Sequence, residues 1–151
     1  MNDYQDCIGF LLAKASQRVS GVFKTRLRPY GLTPVQNLIL SALREEDGVP
    51  VGEIGRKLGL DTATLTGTLD RMAQAGWLEK RPDPDDGRVV RVWTTGKARE
   101  AGDDLQREIQ RINAEVLDRF TLEERVLLKR LLREFQADPG TPPGGSSGGY
   151  Y

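Results

Sequence analysis

Apolar side chains at Ile8, Leu11, Leu12, Ala15, Val19, Val22 and Phe23 recur at steps of three and four. That spacing lines one face of an α-helix and predicts a long amphipathic helix over residues 3–30. Lys14, Arg18, Lys24, Arg26 and Arg28 make its other faces basic. The pattern restarts in "GLTPVQNLILSAL", where Thr33 sits as N-cap, Pro34 at the first helical position and Gln36 at the third. A capping box with the favoured proline predicts a second helix running to about residue 46.

The pattern then shortens. A brief extended piece at 49–51 leads into a short helix with Ile54 and Leu58 facing inward, a turn at 59–61, and another helix over 62–75. On that last helix Leu65, Leu69 and Met72 fall within about 60° of one another at ~100° per residue, which makes them the buried stripe. Ala63, Gly67, Asp70 and Gln74 project the opposite way, flanked by Thr64, Thr66 and Arg71. Threonine and glycine are weak helix formers, so their presence on an exposed face suits a helix that must approach something closely. Gly76 ends the helix, and "WLEKR" and "RVVRVWT" read as two strands around the turn "PDPDDG". Helix, helix, then hairpin is a winged helix-turn-helix arrangement.

Two further helices close the chain. Residues 95–120 carry Leu105, Ile109, Ile112, Val116 and Leu117, and "TLEERVLLKRLLREF" opens on a Thr121/Glu124 capping box with Leu127, Leu128, Leu131 and Phe135 as its stripe. The first and last helices bear apolar stripes that a small winged unit cannot cover, so they are expected to pair with each other and with a second copy. The last stretch, "DPGTPPGGSSGGYY", is expected to be disordered. The predicted divisions are an N-terminal dimerisation helix at 1–32, a winged unit at 33–95, C-terminal dimerisation helices at 96–137 and a tail at 138–151. The fold class is mainly α with a small β-hairpin wing.

Charge and chemistry narrow the reading. Lys plus Arg number 22 against 22 Asp plus Glu, so any affinity for nucleic acid must come from local placement. Residues 50–95 hold seven basic side chains, at 56, 57, 71, 80, 81, 88 and 91, against seven acidic ones. Histidine is absent and Cys7 is the only cysteine, which argues against zinc sites, Cys/His nucleophiles and Ser/His/Asp triads. No enzyme activity, metal or cofactor is expected. The N-terminus "MNDYQDCIGF" is acidic where a signal peptide would be basic, and no apolar run reaches the ~18 residues of a membrane span. A cytoplasmic protein without membrane attachment is the expectation.

"GLTPVQNLIL", then "LGLDTATLTGTLDRMAQAGWLEKRPDPDDGR", then "TTGKA" closely resemble the MarR family of bacterial transcription regulators, over residues 8–135 and in family order. The most specific element is the Asp-x-Arg at Asp86 and Arg88, followed by an apolar strand and threonine. The resemblance implies a homodimeric repressor reading a pseudo-palindromic operator in double-stranded DNA. It places Thr62, Ala63, Thr64, Thr66 and Gly67 in the major groove, Arg88 in the adjacent minor groove, and Arg71 near the wing aspartate and the DNA backbone. It also implies release by an oxidant, or by a small ligand in the cleft between the dimer helices and the winged unit. "LDTATLTGTLDRM" is similar to the recognition helix of the organic-peroxide-sensing branch, whose sensor is a cysteine near the start of the first helix. Cys7 is the candidate sensor here, although the sensing position falls on Gly9 and the partner tyrosines are replaced by Ala13 and Phe23. From its place two residues before Arg88, Asp86 is expected to orient that arginine, with Arg71 as the further partner that the resemblance implies, whereas Asp83 and Asp85 read as a solvated acidic tip. A winged module that docks proteins instead of DNA is the alternative, favoured by the zero charge of the winged segment.

Overall fold

In the computed structural model, residues 3–137 are described; the tail expected to be disordered, 138–151, lies outside them. Two compact units are present, Met1–Ile112 and a second from Asn113 onward. The first opens with a single 3₁₀ turn, Tyr4–Asp6, capped by Asp3. The long helix predicted from residue 3 instead begins at Ile8: α1 spans Ile8–Leu27. Extended backbone at Cys7 separates it from the 3₁₀ turn, so the stripe from Ile8 to Phe23 is continuous but the helix is not.

After a 3₁₀ turn at Arg28–Tyr30, α2 runs Pro34–Glu45 from the expected capping box, Thr33 Oγ1 accepting from Gln36 N while Gln36 Oε1 accepts from Thr33 N. β1 is Val49–Pro50, α3 Val51–Leu58 and α4 Thr62–Gln74. β2 (Leu78–Pro82) and β3 (Val90–Thr94) form the antiparallel wing hairpin, in register from Leu78↔Thr94 to Pro82↔Val90. The short extended piece also pairs, Val49 with Val92 and Pro50 with Arg91, so the wing belongs to a three-stranded sheet ordered β1-β3-β2. α5 is Gly96–Val116.

One core knits the first unit together. Leu27, Ile39, Leu43, Ile54, Leu65, Leu69, Met72, Leu78 and Val92 are all essentially inaccessible, and Leu105 from α5 joins them. At roughly 1.5–3 kcal/mol per fully buried aliphatic side chain, this cluster dominates the unit's stability. Glu108, also buried, accepts from Arg26 Nε at 2.6 Å and from Arg111 Nη1 at 3.4 Å, tying α1 to α5 by charge.

In the second unit α6 spans Leu122–Gln136 and starts from the predicted capping box, Thr121 Oγ1 accepting from Glu124 N and Glu124 Oε2 from Thr121 N. None of its side chains is buried; Leu122, Val126, Leu127, Leu131 and Phe135 all face solvent.

Candidate nucleic-acid interface

Asp61 sets the start of α4. Its carboxylate accepts from Thr64 N at 2.9 Å and Thr64 Oγ1 at 2.7 Å, and these bonds, the backbone one first, hold its pKa below the usual carboxylate range. Thr62, Ala63, Thr64 and Thr66 are exposed on the outer face and Gly67 is half-buried, while Leu65, Leu69 and Met72 pack inward as predicted. Thr68 is buried too; its hydroxyl donates to Thr64 O at 2.7 Å, which keeps a polar group satisfied inside the stripe.

Arg71 does not reach the wing aspartate. Its Nη2 donates to Thr68 Oγ1 at 3.3 Å, one helical turn back on its own helix, where Gly67 leaves the side of the helix open to the guanidinium. Among the described residues Arg71 has no carboxylate partner, and neither has Arg56 on α3.

The three wing aspartates have three different environments. Asp86 Oδ1 accepts from Arg88 N at 3.1 Å and Arg88 Nε at 3.2 Å, the expected carboxylate–guanidinium contact, while the Arg88 side chain is 93% exposed. Asp85 is exposed and makes no side-chain hydrogen bond or ion pair among the described residues. Asp83 is not the solvated tip it reads as in the sequence. Only 10% of its side chain is exposed, Oδ1 accepts from Asp85 N at 2.8 Å and Asp86 N at 3.1 Å, and Oδ2 pairs with Arg91 Nε. Arg91, first, and the two backbone donors hold its pKa below the usual range.

Sequence reasoning missed this anchor, although the strand register carries a signal for it. Arg81 faces Arg91 across the hairpin, so Asp83, two residues beyond Arg81, lies diagonal to Arg91 on the same face. The like charges opposite each other are separated by their partners. Arg81 turns to Glu79, at 2.6 Å, and to the Trp93 ring, 5.7 Å from its centroid; Arg91 turns to Asp83 and donates from Nη1 to Gly48 O at 2.8 Å.

Between α3, α4 and the wing lies an open groove of about 580 Å³, lined among others by Arg56, Thr66, Lys80 and Arg88. A second hollow of about 560 Å³ lies between α2 and α5, with Asn37, Ser41, Arg44, Arg99 and Gln106 among its polar walls. Cys7 is exposed and precedes α1 as its N-cap residue, not on the helix's apolar side. Among the described residues no cluster of His, Cys, Asp or Glu could hold a metal ion, and no helix is long and apolar enough to cross a membrane.

The MarR family model matches residues 32–90, from just before the α2 cap to the start of β3. TtmR of Methylorubrum extorquens, an HTH-type transcriptional regulator, is 36% identical over 97 residues, 64% of this chain, which spans about half (49%) of that relative's length. The multiple antibiotic resistance protein MarR of Escherichia coli is 30% identical over 128 residues, covering 84% of this chain and 89% of its own. Among solved structures, a probable transcriptional regulator from Pseudomonas aeruginosa superposes with a TM-score of 0.84 at 32% identity, over 88% of this chain and 99% of that one. A variant of Escherichia coli MarR complexed with operator DNA gives 0.82 at 25%, over 91% and 100%. Bordetella bronchiseptica BpsR, whose DNA binding is regulated by 6-hydroxynicotinic acid, gives 0.86 at 27%, over 91% and 99%. With its helix-turn-helix, three-stranded winged sheet and Asp-x-Arg wing in that order, the chain belongs to the MarR family of winged helix-turn-helix transcriptional regulators.

Proposed function

We propose that the chain is a dimeric, sequence-specific DNA-binding repressor that lays α4 in the major groove of an operator and the wing in the neighbouring minor groove. The observation that carries this is the outer face of α4. Thr62, Ala63, Thr64 and Thr66 stand exposed and, with Gly67, leave the backbone approachable, while Arg88 projects from the wing beside the same groove. Such side chains suit close contact with base edges, threonine methyl and hydroxyl groups reading thymine and polar edges. Arg88 suits the narrow, electronegative minor groove. Arg71 would add a phosphate contact, and Asp86 supports the wing. Cys7 has no part in DNA binding in this reading.

Carboxylates at 53, 70, 79, 83 and 86 each pair locally with a cation, leaving Arg56 and Arg71 without carboxylate partners and Asp61 and Asp85 without cation partners among the described residues, so DNA affinity rests on where the charges stand and not on their sum. The dimer would cover the apolar faces of α1 and of α6, and a regulator of this kind would work in the cytoplasm beside its DNA. The hollow between α2 and α5 is the place for a small releasing ligand, and its mixed lining of arginines, carboxylates and amides favours a hydrogen-bonding one.

A mobility-shift titration against the DNA upstream of the gene tests this reading. Retardation of that fragment at concentrations that leave scrambled DNA free is expected. Equal affinity for both, or none, would instead favour the protein-docking winged module that the neutral segment suggests.

A further inference from the structure

We propose that Asp83 and Arg91 are a positioning pair that fixes the angle of the wing against the body of its unit and thereby delivers Arg88 to its groove; the proposal rests on the operator-binding reading. Arg88 is held only through Asp86, so its direction is that of the wing tip. The tip lies beyond the end of the strand ladder at Pro82↔Val90, and its backbone is closed by the bonds from Asp83 N to Val89 O and from Val89 N to Asp86 O. Neither bond connects the tip to anything outside the hairpin.

Asp83 makes that connection. It gathers the amides of Asp85 and Asp86 on one oxygen and Arg91 on the other, and Arg91 donates onward to Gly48 O at 2.8 Å in the loop between α2 and β1. That loop is itself fixed. Asp47 accepts from Gly48 N at 3.1 Å and from Thr94 N and Oγ1, both at 2.8 Å. Gly48 lies against the Trp93 ring so closely that a Cβ there would come within 2.5 Å of it. A chain of bonds therefore runs from Arg88 through Asp86, Asp83 and Arg91 to a loop that is itself bonded to the base of β3. An arginine ordered in this way loses less entropy on entering a groove.

The test turns on a sign. Asp83→Asn removes a negative charge from a surface facing a polyanion and keeps a carbonyl oxygen for the two amides, so charge alone predicts tighter binding. Loss of the Arg91 partner predicts weaker binding. Operator affinity is measured by fluorescence anisotropy at one salt concentration for the full chain, D83N, R88A and the double variant, with the thermal midpoint of each recorded. We expect D83N to weaken operator binding on the order of 3- to 10-fold, to leave scrambled-DNA binding no weaker, and to shrink the fold-loss caused by R88A.

R91K, which keeps the charge but not the fork that spans Asp83 and Gly48, should reproduce the loss if D83N folds poorly. Unchanged or tighter binding by a folded D83N or R91K, or an R88A effect equal in both backgrounds, overturns the pair. Should the wild-type chain bind no DNA, the regulator reading falls, and amide exchange at 85, 86, 88 and 89 decides the pair alone. Faster exchange in D83N upholds it and equal exchange overturns it.

Discussion

Three aspartates within four positions carry three different consequences, and the difference lies in what each carboxylate accepts. Arg88→Ala should cost about 1–3 kcal/mol of operator binding if the guanidinium reaches the bases. Asp86→Ala should weaken binding as well, although it removes a negative charge, because Arg88 Nε and N lose their acceptor. Asp85→Ala should be neutral or mildly tightening; competition titrations at one salt concentration rank the three. Acidification gives a second handle. Asp61 and Asp83 titrate below the usual carboxylate range in the folded protein, so the stability they confer is complete above the unfolded value near 3.9 and is lost as pH falls through their lower folded values. Between pH 5 and 8 neither should make the thermal midpoint depend on pH, whereas below about pH 4 it should drop, and D83N should flatten that drop.

Elements with strong local chemistry were legible in the sequence, and those made by distant pairing were not. Both capping boxes, the α4 stripe and the hairpin follow from neighbours within a few positions, and they stand as expected. The Asp86–Arg88 contact was legible for the same reason. The extended piece expected at 49–51 is there as β1, but its pairing with β3, more than forty positions away, is what no local periodicity records. Asp83 and Arg91 meet only once the hairpin register is drawn, and Arg71 bonds Thr68 on its own helix, with no bond to Asp86. Gly48 belongs to the same class. Its φ of +72° and its contact with Trp93 both require glycine, so Gly48→Ala should destabilise the fold by at least the ~1 kcal/mol of the backbone conformation alone and lower the thermal midpoint. A midpoint within a degree of wild type would show that the loop yields.

Across the whole molecule the exposed apolar side chains gather on the helices nearest the two ends. Ile8, Leu11 and Leu12 of α1 and Leu122, Val126, Leu127, Leu131 and Phe135 of α6 remain exposed, and contiguous apolar faces on soluble proteins mark interfaces. If a second copy covers them, the thermal midpoint should rise with protein concentration, and sedimentation at micromolar concentration should return twice the chain mass. A concentration-independent monomer would leave those faces unexplained.

A dimer related by two-fold symmetry presents two α4 helices to one face of DNA, about 34 Å apart, so its operator should be an inverted repeat with half-sites roughly 10 base pairs apart centre to centre. A footprint of the full chain on the DNA upstream of its gene measures this directly. Two protected half-sites at that spacing are expected, with minor-groove protection beside each that disappears in Arg88→Ala, and affinity that falls steeply with salt. Protection of a single half-site, or of none at concentrations that retard scrambled DNA equally, would contradict it.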